Sequence, residues 1–175
     1  MKHVMIDLET LDTRPSTVIL SIGAVAFSVE DDVTASFYQR CTWQDQLDAG
    51  RTVSESTIRW WLLQSDAARE ALIYGRQLSL RQSLEELFNW CFSSKAISVW
   101  ASGPSFDIAI LEHAYGYYNL PWKYNAARDF RTLRDLVPPN LGDDIPKGEA
   151  HNALDDAMAQ ALFVRKALRY LQARG

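Results

Sequence analysis

The chain opens with an apolar run of strand character, His3-Val4-Met5-Ile6-Asp7-Leu8-Glu9-Thr10, interrupted by two carboxylates two positions apart. Side chains at i and i+2 of a strand share one face. A polar turn, Leu11 to Ser16, leads to a second apolar and β-branched stretch, Thr17 to Phe27, which reads as a central strand. Glu30-Asp31-Asp32 predicts a hairpin turn, and Val33 to Cys41 alternates in part as a third strand. Three strands joined by short turns predict an antiparallel meander.

The period then changes from two to 3.6. Ser54 to Thr57 offers capping residues before a helix at Ile58 to Leu63. A second helix is expected over Asp66 to Tyr74, stopped at Gly75. Ser79 can cap a third, with Leu80, Leu84, Leu87, Phe88 and Cys91 at helical spacing. Ile97 to Ala101 reads as a strand, Ser102 to Ser105 as a turn, and Phe106 to Tyr118 as a helix ending before Asn119 and Pro121. A short extended piece at Ala127 to Phe130 precedes a short helix, Arg131 to Val137, stopped by Pro138-Pro139. Asn140 to Ala150 is a loop, and Asn152 can cap a last helix from Ala153 to Ala173 with Ala157, Ala161, Val164, Leu168 and Leu171 on its buried stripe. The sum is one α/β domain, residues 1–175: a mixed central sheet, the antiparallel meander plus parallel strands, flanked by helices.

Bulk properties narrow the function classes. The chain is 47% hydrophobic and 23% charged, ordinary for a packed protein. It has no apolar run of the ~18 residues that would span a bilayer, and no basic-then-apolar leader. Its two cysteines, Cys41 and Cys91, are too few and too far apart for a disulfide framework or a zinc site, and read as core. A cytoplasmic protein without membrane contact is expected. The net charge of −4 argues against holding nucleic acid by a broad basic surface. It leaves room for an acidic site whose charge is neutralised by the cations it binds.

The candidate chemistry lies in the acids. Two carboxylates side by side on a strand repel each other unless a hard divalent cation sits between them; alternatively, Asp7 ends the strand and Glu9 caps the next segment. Asp107 comes after a strand and a Gly-Pro turn at the start of a helix, where open α/β sheets bind ligands, or is a first-turn acid favourable to the helix dipole. His151-Asn152-Ala153-Leu154-Asp155-Asp156 sets a histidine before a helix with two acids in its first turn, more than a cap requires.

Asp7-Leu8-Glu9-Thr10, Asp107 after Ser102-Gly103-Pro104-Ser105-Phe106, and His151 to Asp156 together resemble the three motifs of the DEDDh 3′–5′ exonucleases, which include the proofreading subunit of replicative polymerase, ribonuclease T and oligoribonuclease. Order and approximate spacing agree. Ile58-Arg59-Trp60-Trp61-Leu62-Leu63-Gln64 followed by Ala67-Ala68-Arg69 is similar to the phage and exodeoxyribonuclease VIII branch, which also contains a mycobacterial exoribonuclease type.

The resemblance implies a ribonuclease-H-like fold and a divalent-metal-dependent 3′–5′ exonuclease acting on 3′ ends of single-stranded DNA or RNA and releasing nucleoside 5′-monophosphates. It implies two Mg²⁺ or Mn²⁺ ions on Asp7, Glu9, Asp107 and Asp156, with Asp7 bridging and His151 as general base. The five-residue spacing from His151 selects Asp156 over Asp155. Imidazole titrates near ~6.5, which suits it to take a proton from water at neutral pH.

Thr10 and Leu11, beside the metal site, and Phe106 and the Trp60-Trp61 pair are candidate substrate contacts, with Trp61 assigned the stacking role and His151 also near substrate. Adjacent helical residues point about 100° apart, so one tryptophan is expected to be exposed, unless both are core. Arg59, Arg69, Arg128 and Arg131 are candidate phosphate contacts or simply solvated surface. The resemblance also admits a homodimer. Two rival readings remain at this level: a non-catalytic nucleic-acid- or protein-binding module on the same fold, and an exonuclease restricted to very short oligonucleotides.

Overall fold

In the computed structural model of the chain, which describes residues 2–30, 33, 35–94 and 96–174, the two long apolar runs lie side by side as the middle of a six-stranded sheet. The strands are β1 (Lys2–Thr10), β2 (Ile19–Ser28), β3 (Ala35–Cys41), β4 (Gln77–Leu78), β5 (Ser98–Ala101) and β6 (Ala127–Asp129), in the order β4-β3-β2-β1-β5-β6. The first three form the expected antiparallel meander, and β5 and β6 extend it in parallel from β1. The turn expected at residues 30–32 falls partly outside the described residues. The two-residue β4, parallel to β3, was not legible as a strand.

The helices are α1 (Gln44–Asp48), α2 (Glu55–Leu62), α3 (Asp66–Ile73), α4 (Leu80–Ser93), α5 (Asp107–Tyr117), α6 (Phe130–Asp135) and α7 (Ala153–Gln172). The alternation along β1 decides which helix meets which face. Val4, Ile6 and Leu8 enter a core with Leu80, Leu84 and Leu87 of α4 and Ile110, Leu111, Ala114 and Tyr115 of α5. Met5 enters the opposite core with Val25, Phe27, Leu133 and the inner side of α7. Asp7 and Glu9 continue the Met5 side toward the strand's end, which directs them to the face that α7 covers. A third cluster, Val18, Leu20, Trp61, Ala68 and Leu72, docks α2 and α3 beside it.

The buried stripe of α7 runs through Ala153, Ala157, Ala161, Val164 and Ala167. Leu168 is half-buried and packs against the same core as the stripe, whereas Leu171 is 37% exposed, so the expected stripe is corrected at Leu171. An α-helix advances 3.6 residues per turn, and three rather than four residues after Val164 the next inward position is Ala167.

Small residues set the closeness of this packing. A side chain at Gly23 would begin 2.1 Å from the carbonyl oxygen of Ala153, so the first turn of α7 rests directly on the backbone of β2. Gly23 is the cross-strand partner of Asp7. The bare spot on β2 is therefore what lets the start of α7 approach the acidic end of β1.

Candidate active site

Three separate stretches converge at that point. On β1, Asp7 is half-buried and Glu9 is 7% exposed. A register irregularity between Glu9 and Thr10 ends the regular ladder immediately after the second acid. Asp107, the first residue of α5, is 3% exposed, and its Oδ1 accepts a hydrogen bond of 3.2 Å from the N–H of Leu8. That bond ties the start of α5 to the strand between the two acids. Asp156 arrives on the first turn of α7, and its Oδ2 accepts from the N–H of His151 at 3.0 Å. The neighbouring Asp155 faces elsewhere and caps the loop, accepting from the N–H of Glu149 at 2.9 Å. The alternative between the two acids is thus divided by geometry.

Ligand atoms of Glu9, His151 and Asp156 all lie within 4.8 Å of one another, close enough to share a metal ion. Asp7 and Asp107 adjoin this group and are felt by it. Burial, and then the charges of Asp107 and Glu9, push the Asp7 carboxyl well above the usual carboxylate range, against a hydrogen bond of 3.0 Å donated by Gln160 Nε2. Burial and the charges of Asp156 and Asp107 push Glu9 up to about 8. Burial pushes Asp107 up to about 7, opposed by backbone N–H groups and the charge of Arg131. Burial raises Asp156, opposed by His151. Four acids driven toward protonation by burial, and Asp7 and Glu9 also by the charges of their neighbours, fit a site for hard cations, which favour all-oxygen donor sets and remove the repulsion.

His151 takes a left-handed backbone conformation, φ 64°, costly for a residue with a Cβ by about 1–2 kcal/mol. Its ring meets Trp60 edge-on, centroids 4.6 Å apart. Of the tryptophan pair it is Trp60, 40% exposed, that presents its ring to solvent. Trp61 is 6% exposed and its indole N–H donates to the carbonyl of Thr10 at 2.9 Å. Trp61, also expected as a substrate contact, presents only a small part of its ring, because the helix turns its outward side to Trp60.

A cavity of about 320 Å³ opens beside the acids, lined by Leu8, Glu9, Thr10, Asp12, Thr13, Ser56, Thr57, Trp60, Trp61 and Phe106. Of the expected substrate contacts, Thr10, Trp61 and Phe106 line this cavity. Leu11 instead packs against the third cluster. Of the four arginines, Arg59 pairs with Glu55, Arg69 with Asp66, and Arg128 with the carbonyls of Asn125 and Ala127. Arg131 sits over Gly103, its guanidinium carbon 3.5 Å from the place a Cβ would occupy there, close enough to act on Asp107.

Several residues at the site escaped the sequence. Gln160 was findable, since it lies one turn beyond Asp156 on the same helix face. Gly23 carried a weaker signal, a glycine inside a β-branched strand. Asp12, 5% exposed in the cavity wall with its Oδ1 accepting from the N–H of Thr13 at 2.7 Å, looked like any turn residue.

Residues 2–168 match the 3′–5′ exoribonuclease Rv2179c-like domain. The chain belongs to this family. It is a 3′–5′ exonuclease, and its substrate is nucleic acid. The chain is also 26% identical over 206 residues to the exodeoxyribonuclease of Enterobacteria phage T4, covering 97% of this chain and 90% of that protein. Among solved structures it superposes on the nuclease domain of 3′hExo, a DEDDh family member bound to rAMP, with a TM-score of 0.67 at 17% identity, over 97% of this chain and 92% of that one. The RNase domain of the yeast Pop2 protein gives 0.61 at 10% identity, over 97% and 77%. These two share its ribonuclease-H-like fold, as the sequence motifs implied. Among the described residues, no helix is long and apolar enough to cross a membrane.

Proposed function

We propose that the protein removes nucleotides from the 3′ end of single-stranded nucleic acid, RNA ahead of DNA, and that residues 1–175 act as one exonuclease domain with two Mg²⁺ or Mn²⁺ ions held by Asp7, Glu9, Asp107 and Asp156. The observation that carries this reading is the gathering of four carboxylates and one imidazole, from β1, α5 and the start of α7, at the edge of one nucleotide-sized cavity. The family description names an exoribonuclease, and the phage relative's name an exodeoxyribonuclease; the family match supports RNA.

Bound cations would supply Lewis-acid stabilisation of charge on the phosphate and a lowered pKa for the attacking water. His151 accepts the proton of that water at a ring nitrogen. The water oxygen bonds to phosphorus, the bond from phosphorus to the 3′ oxygen of the preceding nucleotide breaks, that oxygen takes a proton from solvent, and His151 gives its proton back to solvent. The products are a nucleoside 5′-monophosphate and a strand one residue shorter. Phe106, Trp60 and the Trp61 wall flank the departing nucleotide, with base stacking on an exposed ring contributing about 1–3 kcal/mol. The Thr10, Thr13, Ser56 and Thr57 hydroxyls line the same cavity. Arg131, whose charge acts on Asp107, is the arginine this reading assigns to a phosphate.

A cytoplasmic location is part of this reading, supported by two free cysteines, one buried and one half-buried, as a reducing compartment favours. A homodimer would have exposed Leu62, Leu63, Ile73 and Tyr74 of the α2–α3 region to cover.

The test is digestion of matched 5′-labelled RNA and DNA, single- and double-stranded and of graded length, with Mg²⁺ or Mn²⁺. A ladder shortening from the 3′ end, 5′-monophosphate products, faster turnover of single-stranded RNA and complete loss in EDTA are expected. Activity that survives EDTA would overturn the metal site, and turnover confined to the shortest strands would replace the substrate class.

A further inference from the structure

The loop that carries His151 is held from two directions. From α7, Asp156 accepts the His151 N–H at 3.0 Å and Asp155 accepts the Glu149 N–H at 2.9 Å. From the α2–α3 side, the Ser65 hydroxyl donates to Glu149 Oε1 at 2.6 Å. On the same side, Trp60 meets the imidazole at a centroid distance of 4.6 Å and an interplanar angle of 79°. Trp61 stands behind, 4.9 Å from Trp60 and 6.3 Å from His151, and is anchored through Thr10 to the end of β1. A residue at positive φ keeps that conformation only where its surroundings over-determine it. Removing the Trp60 ring takes away the nearer of the two aromatic contacts to the imidazole and leaves the more distant Trp61 and the tethers of the loop backbone.

We propose that Trp60 is a positioning residue for His151: its ring, fixed against Trp61, holds the imidazole beside Glu9 and Asp156 in the orientation the reaction uses. The inference rests on the reading of His151 as the general base. It gives α2 a part in proton transfer, and since Trp60 also lines the cavity, it links the wall of the nucleotide site to the base. A base displaced by about 1 Å loses on the order of 100-fold in rate.

A double-mutant cycle on kcat, measured at saturating single-stranded RNA with Mg²⁺, tests it. Because Trp60 lines the cavity, KM is free to rise in any Trp60 variant, and the comparison is confined to kcat. His151→Ala should lower kcat by about 10²–10⁴-fold. Trp60→Ala should lower it by about 10- to 100-fold in the parent and change it by less than about twofold in the His151→Ala background. Trp60→Phe, which keeps an aromatic edge, should recover most of the loss. Glu149→Ala, outside the cavity, should lower kcat less and likewise only when His151 is present. Thermal melting run beside each variant separates unfolding from mispositioning, and Glu149→Ala carries the test should Trp60→Ala melt below the assay temperature. Equal losses from Trp60→Ala with and without His151 would overturn the positioning role while leaving the base in place. An unimpaired His151→Ala enzyme would overturn the reading beneath it.

Discussion

The acidic end of β1 and the start of α7 contribute to one site by opposite means. Asp7 and Glu9 stand on the part of β1 that runs past the end of β5 and is paired with β2, and Asp107 is fixed to the same strand by the Leu8 N–H. Their positions follow from sheet geometry. Asp156 and His151 sit where a loop enters a helix, half-buried, with a strained backbone residue and contacts drawn from α2, α3 and α7. Their positions follow from packing. On the proposed reading the cation ligands are drawn from both regions, Asp7, Glu9 and Asp107 from the strand and the helix fixed to it and Asp156 from the start of α7, whereas the base, His151, comes from the packed loop alone.

The largest expected effect removes the strand's contribution. Asp7→Ala should abolish nucleotide release, a loss of about 10⁴-fold or more if several kcal/mol of charge stabilisation are forfeited. A 5′-labelled strand digested with Mg²⁺ measures it, with an unchanged melt as control. Residual activity within tenfold of the parent would show that the strand is no essential platform.

Next in size is the division at the start of α7. Asp156→Asn should cost about 10²–10³-fold in kcat and Asp155→Asn less than about tenfold, since only the former faces Glu9 and His151. Equal losses would mean that the two carboxylates are interchangeable and that the helix start is looser than its hydrogen bonds imply.

Gly23→Ala tests the join between the regions. The new methyl would meet the Ala153 carbonyl oxygen at 2.1 Å, backbone that cannot swing aside, so α7 must shift. A stability loss of about 1–3 kcal/mol is expected, together with a kcat loss of about 10- to 100-fold from the displaced helix acid. Chemical denaturation and steady-state rates measure the two. Full activity with lowered stability would show that α7 tolerates movement.

The smallest effect is on stability alone. In the metal-free protein Glu9 titrates at about 8 against an ordinary 4.5, and Asp107 at about 7 against 3.8. Between the two values of each pair the folded chain keeps a proton that the unfolded chain has released, so stability falls as pH rises. Metal-free Tm should therefore be lower at pH 8 than at pH 5, Mg²⁺ or Mn²⁺ should restore it at pH 8, and Glu9→Gln should flatten the slope. A metal-free Tm that rises over this range would contradict the burial of these acids.

Much of this was legible in advance. The i, i+2 acids of β1, the acid after the Gly-Pro turn, the His-to-Asp spacing and the switch from strand to helix period are local patterns, and local patterns survive in a one-dimensional string. The meander, the parallel β5, the terminal helix and the DEDDh motifs follow from them. The two-residue β4 and five-residue α1 did not, being too short to build a period.

What the string could not carry were relations across the fold. Asp7 and Gln160 are 153 positions apart, and no periodicity joins them. Which of Trp60 and Trp61 faces out depended on how α2 docks against Val18, Leu20 and Leu11. Whether Asp155 or Asp156 enters the site depended on the rotation of α7 about its axis, set by the alanines that rest on β2 and by the bare backbone of Gly23. The sequence determined which groups are present and on what elements. Only tertiary packing decided which of them meet, because burial, close approach and mutual repulsion are properties of neighbours in space.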